Sequence, residues 1–383
     1  MTTNHLVSTE VICHECALKV SLPVLAEGEK AHCPRCNYLL TANRKNSQAK
    51  VISFSLTAII FWLLSLSFEF LSFSSNGIAR EITITQSIQV LIEHKYWALA
   101  VIQTLAVFTL PIIILSLLLI LYIPMSLGRL VPGSAVFMKI LHGLLPWSMA
   151  EIFVVGTLVS LVKIMSMADI GFGPSFYSFI LFNLAMTMAL VNVDKHELTS
   201  FIVKQHDKVA HHLIHHKANH NSVQFTWALL VTSCLLYIPA NVLPIMNTRL
   251  LGQDDPSTIL GGVVLLWQLE SYPVAIIIFV ASIAIPIAKI VALCWLNYSV
   301  QHASEVKQQE RIKIYRITEF IGRWSMIDVF VVILLVSLIQ LGNTMSIYPG
   351  TAALSFCGVV VLTMLAAMSF DTQLIWNNKK AYE

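Results

Sequence analysis

Long apolar segments separated by short polar ones dominate the chain from about residue 50 onward. A helix that crosses a bilayer needs roughly 20 mainly apolar residues, and several segments meet that requirement. The pattern therefore predicts eight transmembrane helices. They are placed at 51–73, 97–123, 144–165, 175–193, 223–246, 271–298, 324–341 and 350–370.

The composition supports this interpretation. Of 383 residues, 56% are hydrophobic and only 12% are charged, whereas soluble domains average about 25% charged residues. A soluble fold of this length could not bury so much apolar surface. The net charge of +3 is too small to indicate nucleic-acid binding. The residues form no catalytic triad, phosphate loop or catalytic carboxylate pair, so we do not expect an enzyme.

The distribution of lysine and arginine predicts how the helices are oriented. With the N-terminus in the cytoplasm, most of the 24 basic residues fall in cytoplasmic segments, and only Arg80, Lys95 and Arg249 fall on the opposite side. Lys163 and Lys289 lie within predicted spans. Because basic residues concentrate in cytoplasmic segments of membrane proteins, both termini are expected to be cytoplasmic.

An internal repeat divides the membrane part of the chain. The segment WSMAEIFVV at 147–155 reappears as WSMIDVFVV at 324–332, a shift of 177 residues. An even number of spans per copy makes the two copies parallel, related by an axis along the membrane normal. The fold predicted is an all-α polytopic membrane protein with two parallel four-helix repeats and a small N-terminal ribbon. The expected units are 1–46 (zinc ribbon), 47–195 (first repeat), 196–222 (linker), 223–375 (second repeat) and 376–383 (tail).

Four cysteines form two C-x-x-C pairs in the polar N-terminal segment. Cys13 and Cys16 are followed after sixteen residues by Cys33 and Cys36. This spacing is typical of a tetrahedral zinc site, and four cysteine ligands leave no open position for catalysis. The prediction is one structural or regulatory Zn²⁺ in a cytoplasmic ribbon. The alternatives are a redox pair or an accidental cluster.

Histidines crowd the 196–222 linker. On a helix, the pairs His211/His215 and His212/His216 would be four residues apart and able to bind a transition metal. A solvated, histidine-rich linker is the preferred interpretation, and no metal is assigned to it.

Ionisable and hydroxyl side chains within the predicted spans suggest a polar interior. Charged groups at membrane depth are costly and usually face the interior of the bundle or a wet cavity. Lys289, Asp328, Ser325 and Ser282 are predicted to form a polar cluster in the second repeat, which would orient a lipid head group or exchange a proton. A buried pair that only sets the helix register is the alternative. Further candidates for this interior are Glu151, Lys163, Ser337 and Thr363.

Three features together carry a resemblance to a known family. They are the C-x-x-C ribbon, the run IPANVLPIM at 238–246 and the run GRWSMID at 322–328. The chain resembles the paraquat-inducible protein A family of Gram-negative inner membranes over nearly its whole length. The family's motifs fall on Pro239, Ala240, Asn241, Pro244, Arg323, Trp324, Ser325 and Asp328.

The resemblance implies an inner-membrane subunit that works with a periplasm-spanning partner of the mammalian cell entry (MCE) class. Together they would move phospholipids between the inner and outer membranes and maintain envelope integrity. Two other functions stay open: a non-transporting adaptor whose ribbon docks cytoplasmic factors, and a proton-coupled exporter of small molecules. The chain departs from many family members because its linker holds no second C-x-x-C pair and its first repeat has no Pro-Ala-Asn run.

Overall fold

The apolar segments of the sequence fold into helices. In a computed structural model, residues 9–376 are described, apart from 24, 76–77, 130, 165–168, 195–196, 202–220, 251–252, 269, 271, 303–307 and 339–344. The helices of the first half are α1 (Ser47–Ser67), α2 (Ile84–Glu93), α3 (Trp97–Gln103), α4 (Leu110–Ser126), α5 (Ser134–Leu144), α6 (Ala150–Ile164) and α7 (Pro174–Asn192). Those of the second half are α8 (Asn221–Val242), α9 (Ile259–Gln268), α10 (Tyr272–Phe279), α11 (Ile285–Gln301), α12 (Gln308–Trp324), α13 (Ile327–Leu338) and α14 (Thr351–Ser369).

Eight helical stretches of the described chain are long and apolar enough to cross a membrane, as predicted. The chain is a multi-pass membrane protein. The stretches are Ser47–Ser67, Trp97–Ser126, Ser134–Leu161, Pro174–Asn192, Asn221–Val242, Ala275–Gln301, Gln308–Ser337 and Thr351–Ser369. The first and fifth are shorter than predicted, since their last residues leave the helix and approach or enter β-strands.

Two three-stranded sheets lie beyond the ends of these helices, and the sequence analysis missed both. The first consists of β5 (Leu71–Ser75), β6 (Ile78–Ile82) and β7 (Asp169–Phe172), and the second of β8 (Met246–Leu250), β9 (Gln253–Ser257) and β10 (Met345–Pro349). In each sheet the first strand is central, and both neighbours run antiparallel to it. We call this side of the molecule the sheet end.

The two halves repeat each other element by element. In both, the second span contains a π-helical turn, Thr104–Thr109 or Val280–Ala284, directly before a helix with proline in its first turn. A shift of 175 residues superimposes these turns and their prolines, Pro111 and Pro286. The third span of each half is interrupted at the repeated Trp-Ser-Met segment.

A glycine in each half allows the backbone at the start of the fourth span to approach the segment that leads into the central strand. A Cβ atom at Gly173 would collide with the carbonyl oxygen of Glu69, and one at Gly350 would collide with that of Pro244. The same carbonyls accept hydrogen bonds from the backbone two residues beyond each glycine, at 3.1 Å. Only glycine permits this approach, and its recurrence ties the start of α7 and of α14 to equivalent places.

The two repeats meet at their third spans. Helices α6 and α13 pack against each other, and the rings of Phe153 and Phe330 stand edge to face with centroids 5.5 Å apart. A Cβ added at Gly156 would lie 3.0 Å from Cβ of Phe330. The absence of a side chain at Gly156 therefore allows the close contact between the helices.

Two short hairpins form the N-terminal ribbon. They are β1 (Thr9–Ile12) with β2 (Lys19–Leu22), and β3 (Lys30–His32) with β4 (Leu39–Ala42). The ribbon lies on the side of the bundle opposite the sheets, which we call the ribbon end. Most of the predicted 196–222 linker, with all of its histidines, and nearly all of the 376–383 tail fall outside the described residues.

Candidate functional site

The two hairpins of the ribbon bring the four predicted cysteines together. Cys13, Cys16, Cys33 and Cys36 are buried, and their sulfur atoms all lie within 4.8 Å of one another. A tetrahedral ion with Zn–S bonds of about 2.3 Å would place its sulfurs roughly 3.8 Å apart. The cluster therefore fits a single metal ion.

Each C-x-x-C turn has the backbone that a metal knuckle requires. Cys13 donates its backbone N–H to Leu18, and its carbonyl accepts from Ala17, both at 2.9 Å. Cys33 makes the same pair of bonds within its own turn. The residue after each pair, Ala17 or Asn37, adopts a positive φ of 55° or 57°. The two turns are thus conformational copies that present their thiols to one centre.

Burial favours the protonated form of two of these thiols, Cys16 and Cys36. Desolvation raises the pKa of Cys16 to about 12 and also raises the pKa of Cys36. Metal ligation requires the thiolate, so binding an ion here would release protons, and the ion would stabilise the folded ribbon.

The ribbon contacts the ends of both repeats. Glu15, between the first two cysteines, forms a bidentate ion pair with Arg316 of α12, which also donates to the carbonyl of Cys36 at 2.9 Å. On the other repeat, Thr41 and the backbone of Ala42 donate to the carboxylate of Asp194 at 2.7 and 3.1 Å. The cysteine cluster is therefore connected through the ribbon to both halves of the membrane part.

Within the second repeat, Lys289 is buried in the bundle. Its side chain is 2% exposed, and its Nζ has no hydrogen-bond partner among the described residues. A Cβ added at Gly322 would lie 2.9 Å from this Nζ and 3.0 Å from Cε. The lysine thus occupies space that the glycine leaves free where α12 approaches α11.

The other three members of the predicted cluster are also buried. One precedes Lys289 in the chain, and two follow Gly322. Ser282 lies in the π-helical turn one helical turn before Pro286. The hydroxyl of Ser325 donates to the carbonyl of Gly322 at 2.8 Å, and Asp328 is 8% exposed at the start of α13. No hydrogen bond joins Lys289 to Asp328. Lys289 therefore remains a candidate for contact with a bound molecule.

The remaining candidates differ in their surroundings. Ser337 and Thr363 are buried, but their hydroxyls donate to carbonyls of their own helices, which satisfies them locally. Glu151, at the position equivalent to Asp328, is exposed and does not belong to the buried interior. Lys163 falls in α6, and its side chain lies outside the described part of the structure.

The residues of the family motifs lie where helices end or are interrupted. Pro239 and Ala240 lie in the last turn of α8, and the side chain of Asn241 donates to the carbonyl of Tyr237 at 2.9 Å. Pro244 accepts the hydrogen bond from Ala352 that fastens α14. Arg323 and Trp324 end α12 immediately before the break in the seventh span.

Sequence reasoning missed Gly322, Glu15 and Arg316 as contributors to the two sites. The shift of 177 places Gly322 opposite Leu145, a change from large to small that signals room for a neighbour. No comparable signal in the sequence pairs Glu15 with Arg316, because their contact depends on how the ribbon docks.

Comparison with known proteins gives one consistent result. The sequence profile described as "Paraquat-inducible protein A" matches twice, at residues 49–200 and 223–380. The chain is 38% identical over 416 residues to Intermembrane transport protein PqiA of Escherichia coli (strain K12), covering 100% of this chain and 99% of that protein. It is 27% identical to a Probable intermembrane transport protein of Haemophilus influenzae, covering 95% of each chain. It is also 27% identical to Lipophilic envelope-spanning tunnel protein A of E. coli, covering 95% of this chain and 90% of that protein. No solved structure matches the chain.

Proposed function

The chain belongs to the paraquat-inducible protein A family, and on that premise we propose that it is a non-enzymatic lipid-transport subunit of a bacterial inner membrane. It works with a periplasm-spanning MCE-type partner and moves phospholipids between the inner and outer membranes. Relatives named for intermembrane transport and for an envelope-spanning tunnel support the transport role. Their similarity extends over nearly the full length of this chain.

The buried Lys289 is the observation that carries the lipid proposal. Its amine has no hydrogen-bond partner among the described residues, and an unpartnered amine in the membrane interior is costly. A phosphate group would supply the missing charge and hydrogen bonds. In the first repeat the equivalent position holds Ile114, which is fully buried and apolar. The amine is therefore not required by the four-helix fold itself, which favours a role in binding.

The orientation and the metal complete the proposal. The ribbon holds one structural Zn²⁺, because four thiolates in tetrahedral reach of one another are the donor set that zinc prefers in closed sites. The ribbon end faces the cytoplasm, with both termini, as the excess of basic residues there favours. The sheet end then faces the periplasm, where the partner receives or delivers lipid.

The test is lipid transfer by the purified protein. The chain is reconstituted in liposomes with its MCE-type partner, which is identified by native pull-down with mass spectrometry, and transfer of a fluorescent phospholipid is followed. Asp328→Asn keeps the size of the side chain but should abolish transfer, while Ser337→Ala, whose hydroxyl is satisfied by carbonyls of its own helix, should not. Transfer at the wild-type rate by the Asp328→Asn protein would refute a role for the buried cluster. Failure of the wild type to transfer lipid would refute the function.

A further inference from the structure

A contact between the repeats is present on one side and missing on the other. Helix α2 of the first repeat packs across the interface against α13 of the second. By the repeat, α9 should pack against α6 in the same way. Among the described residues, neither α9 nor α10 makes a comparable contact with α6.

The missing contact leaves one face of α6 only partly covered, with Glu151 and Leu158 exposed and the two valines between them half-buried. Glu151, Val154, Val155 and Leu158 follow one another at the spacing of a single helical face, which we call the α6 stripe. Leu158 is 45% exposed, whereas its equivalent in α13, Leu335, is 1% exposed. All four equivalents in α13 are buried, namely Asp328, Val331, Val332 and Leu335. The stripe is therefore the surface that α9 and α10 would cover if the second repeat matched the first.

Helices α2 and α9, which are equivalent in the two repeats, also differ in how much of their surface is buried. Helix α2 buries Ile84, Ser87 and Leu91, while α9 buries only Ile259 among its described residues. Its apolar side chains are instead exposed, with Trp267 52% exposed. Because α9 is apolar on all sides, its exposed faces favour contact with lipid over contact with water.

A buried hydrogen bond joins α2 to α3 in the first repeat and fixes the two helices relative to each other. The side-chain amide of Gln103, at the end of α3, donates to the hydroxyl of Ser87 in α2 at 2.7 Å, and both residues are buried. This bond ties α2 to α3. At the equivalent positions the second repeat has Ile278 and Gly262, which cannot form it. Helices α9 (Ile259–Gln268) and α10 (Tyr272–Phe279), which we call the α9–α10 hairpin, therefore lack the tie. As in the first repeat, a π-helical turn follows, and such a turn interrupts the regular helix and serves as a hinge.

We infer that the α9–α10 hairpin is a lateral gate, which closes by packing on the α6 stripe and opens to admit the acyl chains of a phospholipid. The arrangement described here is the open one. The inference rests on the proposed lipid function and adds to it the place where lipid enters. The stripe is apolar apart from Glu151, so it accepts hydrocarbon chains.

Photo-crosslinking in proteoliposomes of bacterial phospholipid tests the gate directly. Leu158→p-benzoyl-phenylalanine should yield, by mass spectrometry, two products: one with phospholipid and one with the 259–279 peptide. The matched control is Leu335→p-benzoyl-phenylalanine, which should capture α2 and no lipid. A product with lipid alone at Leu158 would overturn the gate, since the hairpin would then never reach the stripe.

Installing the missing tie should shift the balance between the two products. In Gly262→Ser with Ile278→Gln, the ratio of hairpin to lipid product at Leu158 should rise about fivefold, the factor for a net buried hydrogen bond of about 1 kcal/mol. A Cβ at Gly262 meets nothing within 4 Å, so the serine fits. The reverse pair, Ser87→Gly with Gln103→Ile, should weaken capture of α2 by Leu335→p-benzoyl-phenylalanine. Unchanged ratios in both pairs would refute the tie. These products form whether or not the partner accepts lipid, so the gate and the transport function fail separately.

Discussion

Replacing Lys289 by methionine should make the protein more stable and less active. The side chain is 2% exposed, its Nζ has no hydrogen-bond partner among the described residues, and methionine has nearly the same length and volume. An unsatisfied buried polar group costs about 1–3 kcal/mol. Lys289→Met removes that cost without opening a cavity, so the free energy of unfolding should rise by about that amount. At about 2–4 °C for each kcal/mol, the melting temperature should increase by several degrees.

The assay combines a thermal melt of the purified protein in detergent with phospholipid transfer in proteoliposomes. Lys289→Met should melt higher than the wild type and lose transfer. Ile114→Met, at the equivalent buried position of the first repeat, is the control and should change stability by less than about 1.5 kcal/mol without affecting transfer. If Lys289→Met instead melted lower and lost transfer in proportion, the lysine would serve the fold, and the proposed contact with a phosphate would be wrong.

Three further outcomes follow from the structure. Cys16→Ser should reduce the zinc content from about one ion per chain, measured by elemental analysis, and lower the melting temperature; a metal-free protein of unchanged stability would contradict the zinc site. Arg316→Ala should cost only about 1 kcal/mol, because the arginine side chain is 31% exposed and its ion pair is partly screened, yet it should expose the ribbon to limited proteolysis; an unchanged cleavage pattern would argue against docking. Gly156→Ala should destabilise by about 1–3 kcal/mol, since its Cβ would press on Phe330. Gly143→Ala, where a Cβ meets nothing within 4 Å, should be neutral or slightly stabilising, and equal effects of the two would refute the close contact of α6 and α13.

The membrane spans and the cysteine cluster could be predicted because each depends on local sequence. Twenty apolar residues in a row, or two C-x-x-C pairs, require no knowledge of distant neighbours. The sheets could not be predicted so easily, because strands such as Leu71–Ser75 are short and alternate apolar with polar residues where a span was expected to end. One partner of each central strand, such as β7, lies about a hundred residues away, so that pairing depends on the completed bundle.

The buried site requires residues of matching size at positions 289 and 322, which lie in different sequence motifs. Lys289 and Gly322 lie on different helices, and each replaces a larger or apolar residue of the first repeat, Ile114 or Leu145. A lysine at position 289 facing a leucine at 322 would have no room for its Nζ, since even a Cβ there would lie 2.9 Å from it. The glycine without the lysine would leave a cavity, which also costs stability. The two residues are sterically compatible only together, and both occur in the repeat whose α9–α10 hairpin lacks the hydrogen-bonded tie. The proposed site for a charged group and the proposed gate therefore fall in the same repeat, while the first repeat keeps the packed form of the same fold.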